Sequence, residues 1–338
     1  MTVDNNPNSP YRDRIYVSWT EFSELGSPIF FSYSDDHGAT WHTDKTINVA
    51  NDKDICPVQF AQNSGPGACD SNQFSEPFVG PRRVADYYDA PDCFTYTGED
   101  IFRGCFPTAP ISQRSVFRAA NYPTGVAKPD GTIVVDFGSY INPHSNPARG
   151  NCTPNGLSTT TFLNLYKGVG TVNGCNNDIL KSVSYDGGAT FTGERTPPAN
   201  LETRSDERTD GQLADQFFQW SAAMPQNRVA SSYYDRKYDK DQRTGDLDVT
   251  LAADGSGYTR VTNQHTPPFS EFAGASGYGL FLGDYNGLAV GPDGVAHPVW
   301  ADTRNPNFTF DPSGNPKRLF FAGYGSDIYT ARVPVPLK

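Results

Sequence analysis

Four stretches of this chain repeat one arrangement of apolar and polar positions without gaps: Arg14-Ile15-Tyr16-Val17-Ser18-Trp19-Thr20-Glu21, Thr132-Ile133-Val134-Val135-Asp136-Phe137-Gly138-Ser139, Arg228-Val229-Ala230-Ser231-Ser232-Tyr233-Tyr234-Asp235 and Val295-Ala296-His297-Pro298-Val299-Trp300-Ala301-Asp302. Each is rich in β-branched and aromatic residues, carries an aromatic at its sixth place, and reads as a strand. Asp130-Gly131 and Asp293-Gly294 stand just before two of them, and Asp-Gly between apolar runs is a strong hairpin signal. Ahead of the second, third and fourth stretches, 122–127, 217–224 and 285–290 read as partner strands. Asp178-Ile179-Leu180-Lys181-Ser182, Asp246-Leu247-Asp248-Val249-Thr250 and Asp327-Ile328-Tyr329-Thr330 follow as a third set. The pattern therefore predicts an all-β chain of short, successive antiparallel sheets.

A second repeat sits at the ends of apolar runs. Ser34-Asp35-Asp36-His37-Gly38-Ala39-Thr40-Trp41 and Ser184-Tyr185-Asp186-Gly187-Gly188-Ala189-Thr190-Phe191 share the form Ser-x-Asp-x-Gly-x-Thr-aromatic. The Asp carboxylate is expected to accept backbone N–H bonds inside a tight turn, with the glycine taking a φ that other residues avoid. The aromatic should plug the gap between neighbouring sheets. Ala252-Ala253-Asp254-Gly255-Ser256-Gly257 reads as a decayed copy. These are folding devices and carry no catalytic implication.

Four such units are readable in 338 residues, and no linker-like stretch divides the chain, so a single domain over 1–338 is expected. Residues 51–120 form a Cys/Pro/Gly-rich insertion or hide a divergent unit. The last unit shows no clear fourth strand after Val333, which the N-terminus could supply. The net charge of −11 argues against a nucleic-acid partner. No apolar run approaches the ~18–20 residues of a membrane-spanning helix. Six cysteines (Cys56, Cys69, Cys93, Cys105, Cys152, Cys175) show no metal-ligand spacing. Pairing of neighbours, Cys56–Cys69, Cys93–Cys105 and Cys152–Cys175, closes the shortest loops and implies an oxidising, extracellular setting; six free thiols in a cytosolic protein are the alternative. Met1-Thr2-Val3-Asp4 lacks the basic and apolar regions of a signal peptide, so a secreted protein with this start would be a partial or processed reading of a longer chain.

The paired Ser-x-Asp-x-Gly-x-Thr-aromatic phrases, with Gly283-Asp284-Tyr285-Asn286-Gly287 and Trp300-Ala301-Asp302-Thr303-Arg304, resemble the bacterial Asp-box (BNR-repeat) proteins of the sialidase superfamily. The resemblance implies a sialidase-like β-propeller with four readable blades, five or six in the natural protein. It implies a carbohydrate or glycoconjugate partner. Exo-sialidases, other glycosidases, polysaccharide lyases and non-catalytic sugar binders share the architecture, and a fold does not fix a function. An exo-sialidase would need three arginines on the sugar carboxylate, an Asp acid/base and a Tyr–Glu nucleophile pair. Arg118, in Phe117-Arg118-Ala119-Ala120-Asn121-Tyr122-Pro123, stands where the first arginine would be, with a wider spacing to proline than the family signature.

In such blades the starts of inner strands and the ends of second strands meet on one face around a funnel, where a binding site is expected. This collects Tyr122, Asp215, Gln216, Asp284 and Tyr285 from inner-strand starts, and Glu21, Ser139, Asp235, Arg236, Asp302 and Arg304 from second-strand ends. Asp215, Asp284, Asp302 and Tyr285 are the catalytic candidates, with Asp215 or Asp284 as general acid. Arg236, Arg304, Arg118, Asp235, Tyr122, Gln216 and Glu21 are the substrate-binding candidates. Acids, arginines and tyrosines suit glycoside chemistry, in which a carboxyl protonates the leaving oxygen while a carboxylate or an activated tyrosine serves the anomeric carbon. The same Asp and Asp-x-Arg groups also suit turn caps and ion pairs between blades.

The Asp-box turns should lie on the opposite face. His37 and His42 are expected to be exposed and His297 packed or bridging. Asp235, Asp239, Asp241, Asp246 and Asp248 could hold a structural calcium through oxygen ligands or form a solvated acidic loop; no other cofactor is implied. The expected activity is release of a terminal acidic sugar by a sialidase-like glycoside hydrolase. A non-catalytic glycan binder or scaffold is the alternative, and a polysaccharide lyase the third.

Overall fold

The computed structural model describes residues 1–4, 9–20, 29–44, 83–92, 94–95, 104–107, 116–118, 121–145, 152–169, 174–205, 214–239, 246–266, 282–310, 319–324 and 326–336. Met1–Pro81 and Arg82–Lys338 are two compact units. Cys56 and Cys69, Cys93, Glu21 and Asp241 fall outside the described residues.

In the first unit, β1 (Thr2–Val3), β2 (Ile15–Thr20), β3 (Ile29–Ser34) and β4 (His42–Asp44) form an antiparallel sheet in chain order. The N-terminal strand thus pairs with its neighbour in sequence, Thr2 opposite Tyr16 and Val3 opposite Ile15, and is not lent to the last sheet as expected. Its register is set locally, since Asp13 and Arg14 hydrogen-bond with the backbone of Asp4.

The second unit opens with a two-stranded pair from the Cys-rich stretch, β5 (Cys105–Pro107) and β6 (Val116–Arg118). Then come β7 (Pro123–Ala127) and β8 (Ile133–Ser139), and a hairpin of β9 (Thr153–Leu157) and β10 (Asn164–Lys167). After it come β11 (Asp178–Ser184) and β12 (Glu202–Thr203), and β7, β8, β11 and β12 make one four-stranded sheet. The next sheet is β13 (Gln216–Met224), β14 (Arg228–Asp235), β15 (Asp248–Ala253) and β16 (Gly257–Arg260).

The last sheet starts with β17 (Gly287–Val290) and β18 (Val295–Asp302), interrupted by a hairpin of β19 (Pro306–Phe310) and β20 (Leu319–Tyr324). It ends with β21 (Asp327–Thr330) and β22 (Val333–Pro334). Both pair with β18, from Asp302↔Asp327 down to Val295↔Pro334, in one unbroken register. They are one third strand with a break, and among the described residues this sheet has no fourth.

The two Asp-Gly turns fold alike. Gly131 and Gly294 have φ of 85° and 76°, and each donates its N–H three residues back, to Lys128 O and Gly291 O. A type I turn closed by a left-handed residue suits the right-handed twist of a hairpin. The core lies between sheets. Val126, Val134 and Val183 pack on Val229, while Met224, Ala230 and Leu251 pack on Leu288, Ala296 and Val333. The first strands β7, β13 and β17 lie side by side, with β13 in the middle.

Asp36 and Asp186 build the same turn. Each carboxylate accepts the Thr N–H (2.8 and 2.9 Å) and the Thr hydroxyl (2.5 and 2.7 Å), and each Ser hydroxyl lies 2.8 Å from the Asp and accepts the Gly N–H. These donors hold both carboxyls down at about 2, the Thr hydroxyl contributing most. Phe191 is buried as expected, whereas Trp41 is 44% exposed. Its indole N–H turns back to Gly38 O at 3.1 Å, which keeps the ring on its own turn. Asp254 departs from the pattern: its carboxylate accepts Val229 N–H and the Arg204 guanidinium instead of capping its own turn.

Candidate functional site

The registers bring a row of polar residues to one end of the second unit's sheets: Ser139↔Asp178, Gln216↔Asp235↔Asp248 and Asp302↔Asp327. The Ser184–Phe191 turn leaves the other end of β11, remote from Asp178. Much of the polar row is internal cross-bracing. Asp215 is buried, receives Arg236 at 3.2 Å and accepts Asn177 N–H at 2.8 Å. Arg236 is 1% exposed, and burial lowers its pKa against the pull of Asp215 and Asp239.

Asp235 is buried on Gln216, Thr250 and Lys237; burial lifts its carboxyl, which Lys237 opposes. Asp302 takes a two-point grip from Arg304 and a bond from the Trp300 indole, which hold its carboxyl low despite burial. Arg304 also reaches Asn263 and lies over the Tyr329 ring. Ser139 donates to Ile141 O and accepts Tyr88 N–H. Arg118 closes β6 opposite Cys105, and its side chain lies outside the described residues.

The acidic run, read from sequence as either calcium ligands or a solvated loop, is interleaved with cations. Arg236 faces Asp215 and Asp239, Lys237 faces Asp235, and Arg260 and His265 face Asp248. No metal-type cluster occurs among the described residues. His37 and His42 are exposed, as is His297 on β18, opposite Ala289.

What the inner-strand starts do bring together is aromatic. Tyr122 stands before β7, Phe218 near the start of β13 and Tyr285 before β17; the Tyr122 ring lies 5.9 Å from Phe218 and 5.5 Å from Tyr285. Phe218 has φ +53° at a bulge that interrupts the β13–β14 register. A bulky residue in the left-handed region is a genuine outlier, and such strain persists where surrounding structure enforces it. Here Phe218 O accepts Asn286 Nδ2 at 3.0 Å, and Gln219 Nε2 reaches Tyr122 O and Asp136 O. The bulge aims the ring at Tyr122.

Tyr122 is buried, Tyr285 is 52% exposed and Asp284 is exposed beside it. Burial, then the Asp284 charge, raises the Tyr285 phenol, so it stays protonated near neutrality.

One acid beside these residues, Asp89, lies in 51–120, the stretch whose sequence reads as an insertion or a divergent unit. Asp89, partly exposed, accepts Asn121 N–H at 3.1 Å and Ala90 N–H at 2.8 Å through the same oxygen. Asn121 adjoins Tyr122, so Asp89 and Tyr285 flank one residue pair. Burial lifts the Asp89 carboxyl above the usual range, against those two N–H donors. The Asp89 charge in turn raises the neighbouring Tyr87 phenol, whose ring is 53% exposed. A signal existed: Arg83-Val84-Ala85, then Tyr87-Tyr88-Asp89, repeats Arg228-Val229-Ala230, then Tyr233-Tyr234-Asp235, with one residue fewer between.

Cys152 and Cys175 are disulfide-bonded with Cα atoms 4.8 Å apart, and Cys105 is also bonded. The first bridge sits at the base of the β9–β10 hairpin, where Cys152 N–H meets Lys167 O. The hairpin walls the Asp89 segment: Tyr166 donates to Asp89 O at 2.6 Å, and Asp92 N–H to Asn164 O.

No protein-family profile matches the chain, and neither does any curated protein sequence. Among solved structures it is similar to the NanB sialidase of Streptococcus pneumoniae at 12% identity, covering 94% of this chain and 50% of that one, with a TM-score of 0.33. It is similar to an α-L-arabinofuranosidase of Fusarium graminearum at 10% identity, covering 95% and 60%, with a TM-score of 0.30. A Penicillium chrysogenum α-L-arabinanase matches at 13% identity, covering 96% and 64%, with a TM-score of 0.28. The chain spans between half and two thirds of these proteins. Likeness of this degree assigns no activity and no residue role.

Proposed function

We propose that the chain is a secreted carbohydrate-active β-propeller, its sheets the blades of one domain over 1–338. Its site is the inner-strand face around Tyr122, where it hydrolyses a terminal glycosidic bond. Two observations carry this reading: Asp89 is hydrogen-bonded to Asn121, next to Tyr122, and the Tyr285 ring, next to Asp284, packs on the Tyr122 ring. They provide one carboxyl lifted above its usual range, one exposed acid and the exposed ring of Tyr285. Shared strand order and side-by-side inner strands support the propeller, and the bonded cysteines support an oxidising compartment.

In this reading Asp89 gives its proton to the leaving oxygen. Asp284 takes a proton from the water whose oxygen bonds to the anomeric carbon as the glycosidic C–O bond breaks, so at the end of the reaction Asp89 has lost a proton and Asp284 has gained one. Tyr285 and Tyr87 offer apolar faces with polar tips. Tyr285 acts as a neutral hydroxyl, because its raised pKa disfavours a phenolate nucleophile.

The sugar we favour is uncharged. A carboxylate sugar calls for forked arginines, whereas among the candidate arginines whose side chains are described, Arg236 and Arg304 are committed to Asp215 and Asp302. Exposed aromatic rings serve a non-catalytic binder equally well, which is the second reading. Screening the protein on neutral and acidic chromogenic glycosides separates these possibilities. Cleavage abolished by Asp89→Asn supports hydrolysis, binding without cleavage supports the binder, and cleavage confined to acidic sugars contradicts the uncharged assignment.

A further inference from the structure

Asp89 lies on a segment that joins none of the sheets, so something outside it must aim its carboxyl. The backbone around it is pinned by four hydrogen bonds: Tyr88 N–H on the Ser139 hydroxyl (3.1 Å), Tyr140 N–H (2.8 Å) and Asn121 Nδ2 (3.4 Å) on Tyr88 O, and the Tyr166 hydroxyl on Asp89 O. One oxygen of the carboxyl accepts two N–H groups, Ala90 from its own segment (2.8 Å) and Asn121 from outside it (3.1 Å).

Asn121 is in turn locked to Asn177 by a reciprocal amide pair. Asn121 Nδ2 donates to Asn177 Oδ1 at 2.9 Å, and Asn177 Nδ2 donates to Asn121 Oδ1 at 3.1 Å. Asn177 is fastened to the next sheet through Gln216 O (2.7 Å) and the Asp215 carboxylate. Gly138 makes the arrangement possible, because a Cβ there would stand 1.8 Å from Asn121 Oδ1 and 2.6 Å from its Cγ.

We infer that Asn121 and Asn177 are positioning residues for Asp89, an amide clamp seated on Gly138 and anchored by the Asp215–Arg236 ion pair. The inference rests on Asp89 belonging to the site proposed above. It also gives Asp215, Gln216 and Arg236 a part at the same face: they support the acid, and none of them need touch substrate. Both asparagines are buried and both amides are used on each side, so the clamp has one geometry and fixes the Asn121 N–H in one direction.

The test is carboxyl and amide NMR titration, with the Asp89 signal assigned by Asp89→Asn. In the native protein, Asp89, the Asn121 backbone amide and the Asn177 side-chain amide should shift with one common midpoint, and the two amide shifts should vanish in Asp89→Asn. In Gly138→Ala and Asn177→Ala the common shift should be lost and Asp89 should titrate still higher, because the Asn121 N–H that opposes the effect of burial is withdrawn.

An unchanged Asp89 titration in either variant, with its thermal transition intact, overturns the inference. If both variants fail to fold, the native titration decides, and absence of a shared midpoint at Asn121 overturns it. Loss of the catalytic reading is a separate result: hydrolysis that survives Asp89→Asn removes the acid role and leaves the clamp measurable.

Discussion

Arg204 is the sharpest test of how the second unit is held together. It is buried between sheets, its Nε 3.1 Å from the Asp136 carboxylate on β8 and its Nη1 2.5 Å from Asp254. Both acids raise the guanidinium pKa against burial, so the arginine is always charged. Asp136 is fully buried and also accepts hydroxyl bonds from Ser221 and Ser231. Arg204→Met removes the only cation paired with Asp136 among the described residues and leaves a buried carboxylate with two hydroxyl donors.

Breaking a buried pair on one side costs about 3–5 kcal/mol. For a domain of this size each kcal/mol shifts Tm by about 2–4 °C, so a fall of about 6–20 °C is expected by calorimetry or near-UV circular dichroism. Arg204→Met/Asp136→Asn should recover part of the loss, as partners in one network are not additive. A fall below about 3 °C, or a double variant no better than the single, would refute the reasoning.

The other expectations are local. Asp36 and Asp186, held at about 2 by hydrogen bonds, give stability that is full above the unfolded aspartate pKa and lost as pH falls toward about 2. Carboxyl NMR should show both still ionised at pH 3, and Thr190→Val should move the Asp186 midpoint upward. Mapping under non-reducing conditions should recover a Cys152–Cys175 peptide pair. Tyr285→Ala should weaken glycan binding more than Tyr285→Phe, since the ring face is the open surface; equal effects would assign the hydroxyl the main part.

The repeated strands were legible because period-two patterns and Asp-Gly turns are local. The reading of 228–235 and 295–302 matches β14 and β18 residue for residue, and Asp36 and Asp186 build the turn their spacing implies. Inner-strand starts were legible as positions, which is why Tyr122 and Tyr285 meet. Their environment was not. Whether Asp215 faces a ligand or Arg236 depends on what packs above it, and an Asp-x-Arg phrase reads the same in both cases. Asp89 was missed because its segment forms no sheet strand, and its place depends on docking against Ser139 and Asn121, distant in sequence. Phe218 hid for a related reason: a bulge leaves a strand-like sequence while turning one side chain out of register.

The central claim is that the face around Tyr122 cleaves a glycosidic bond with Asp89 as the acid. It is tested most directly by single-turnover hydrolysis of whichever chromogenic glycoside the native protein cleaves, compared with Asp89→Asn at matched, saturating substrate. The account predicts a rate lower by about 10²–10⁴ with binding and Tm retained. Full activity in Asp89→Asn would contradict it.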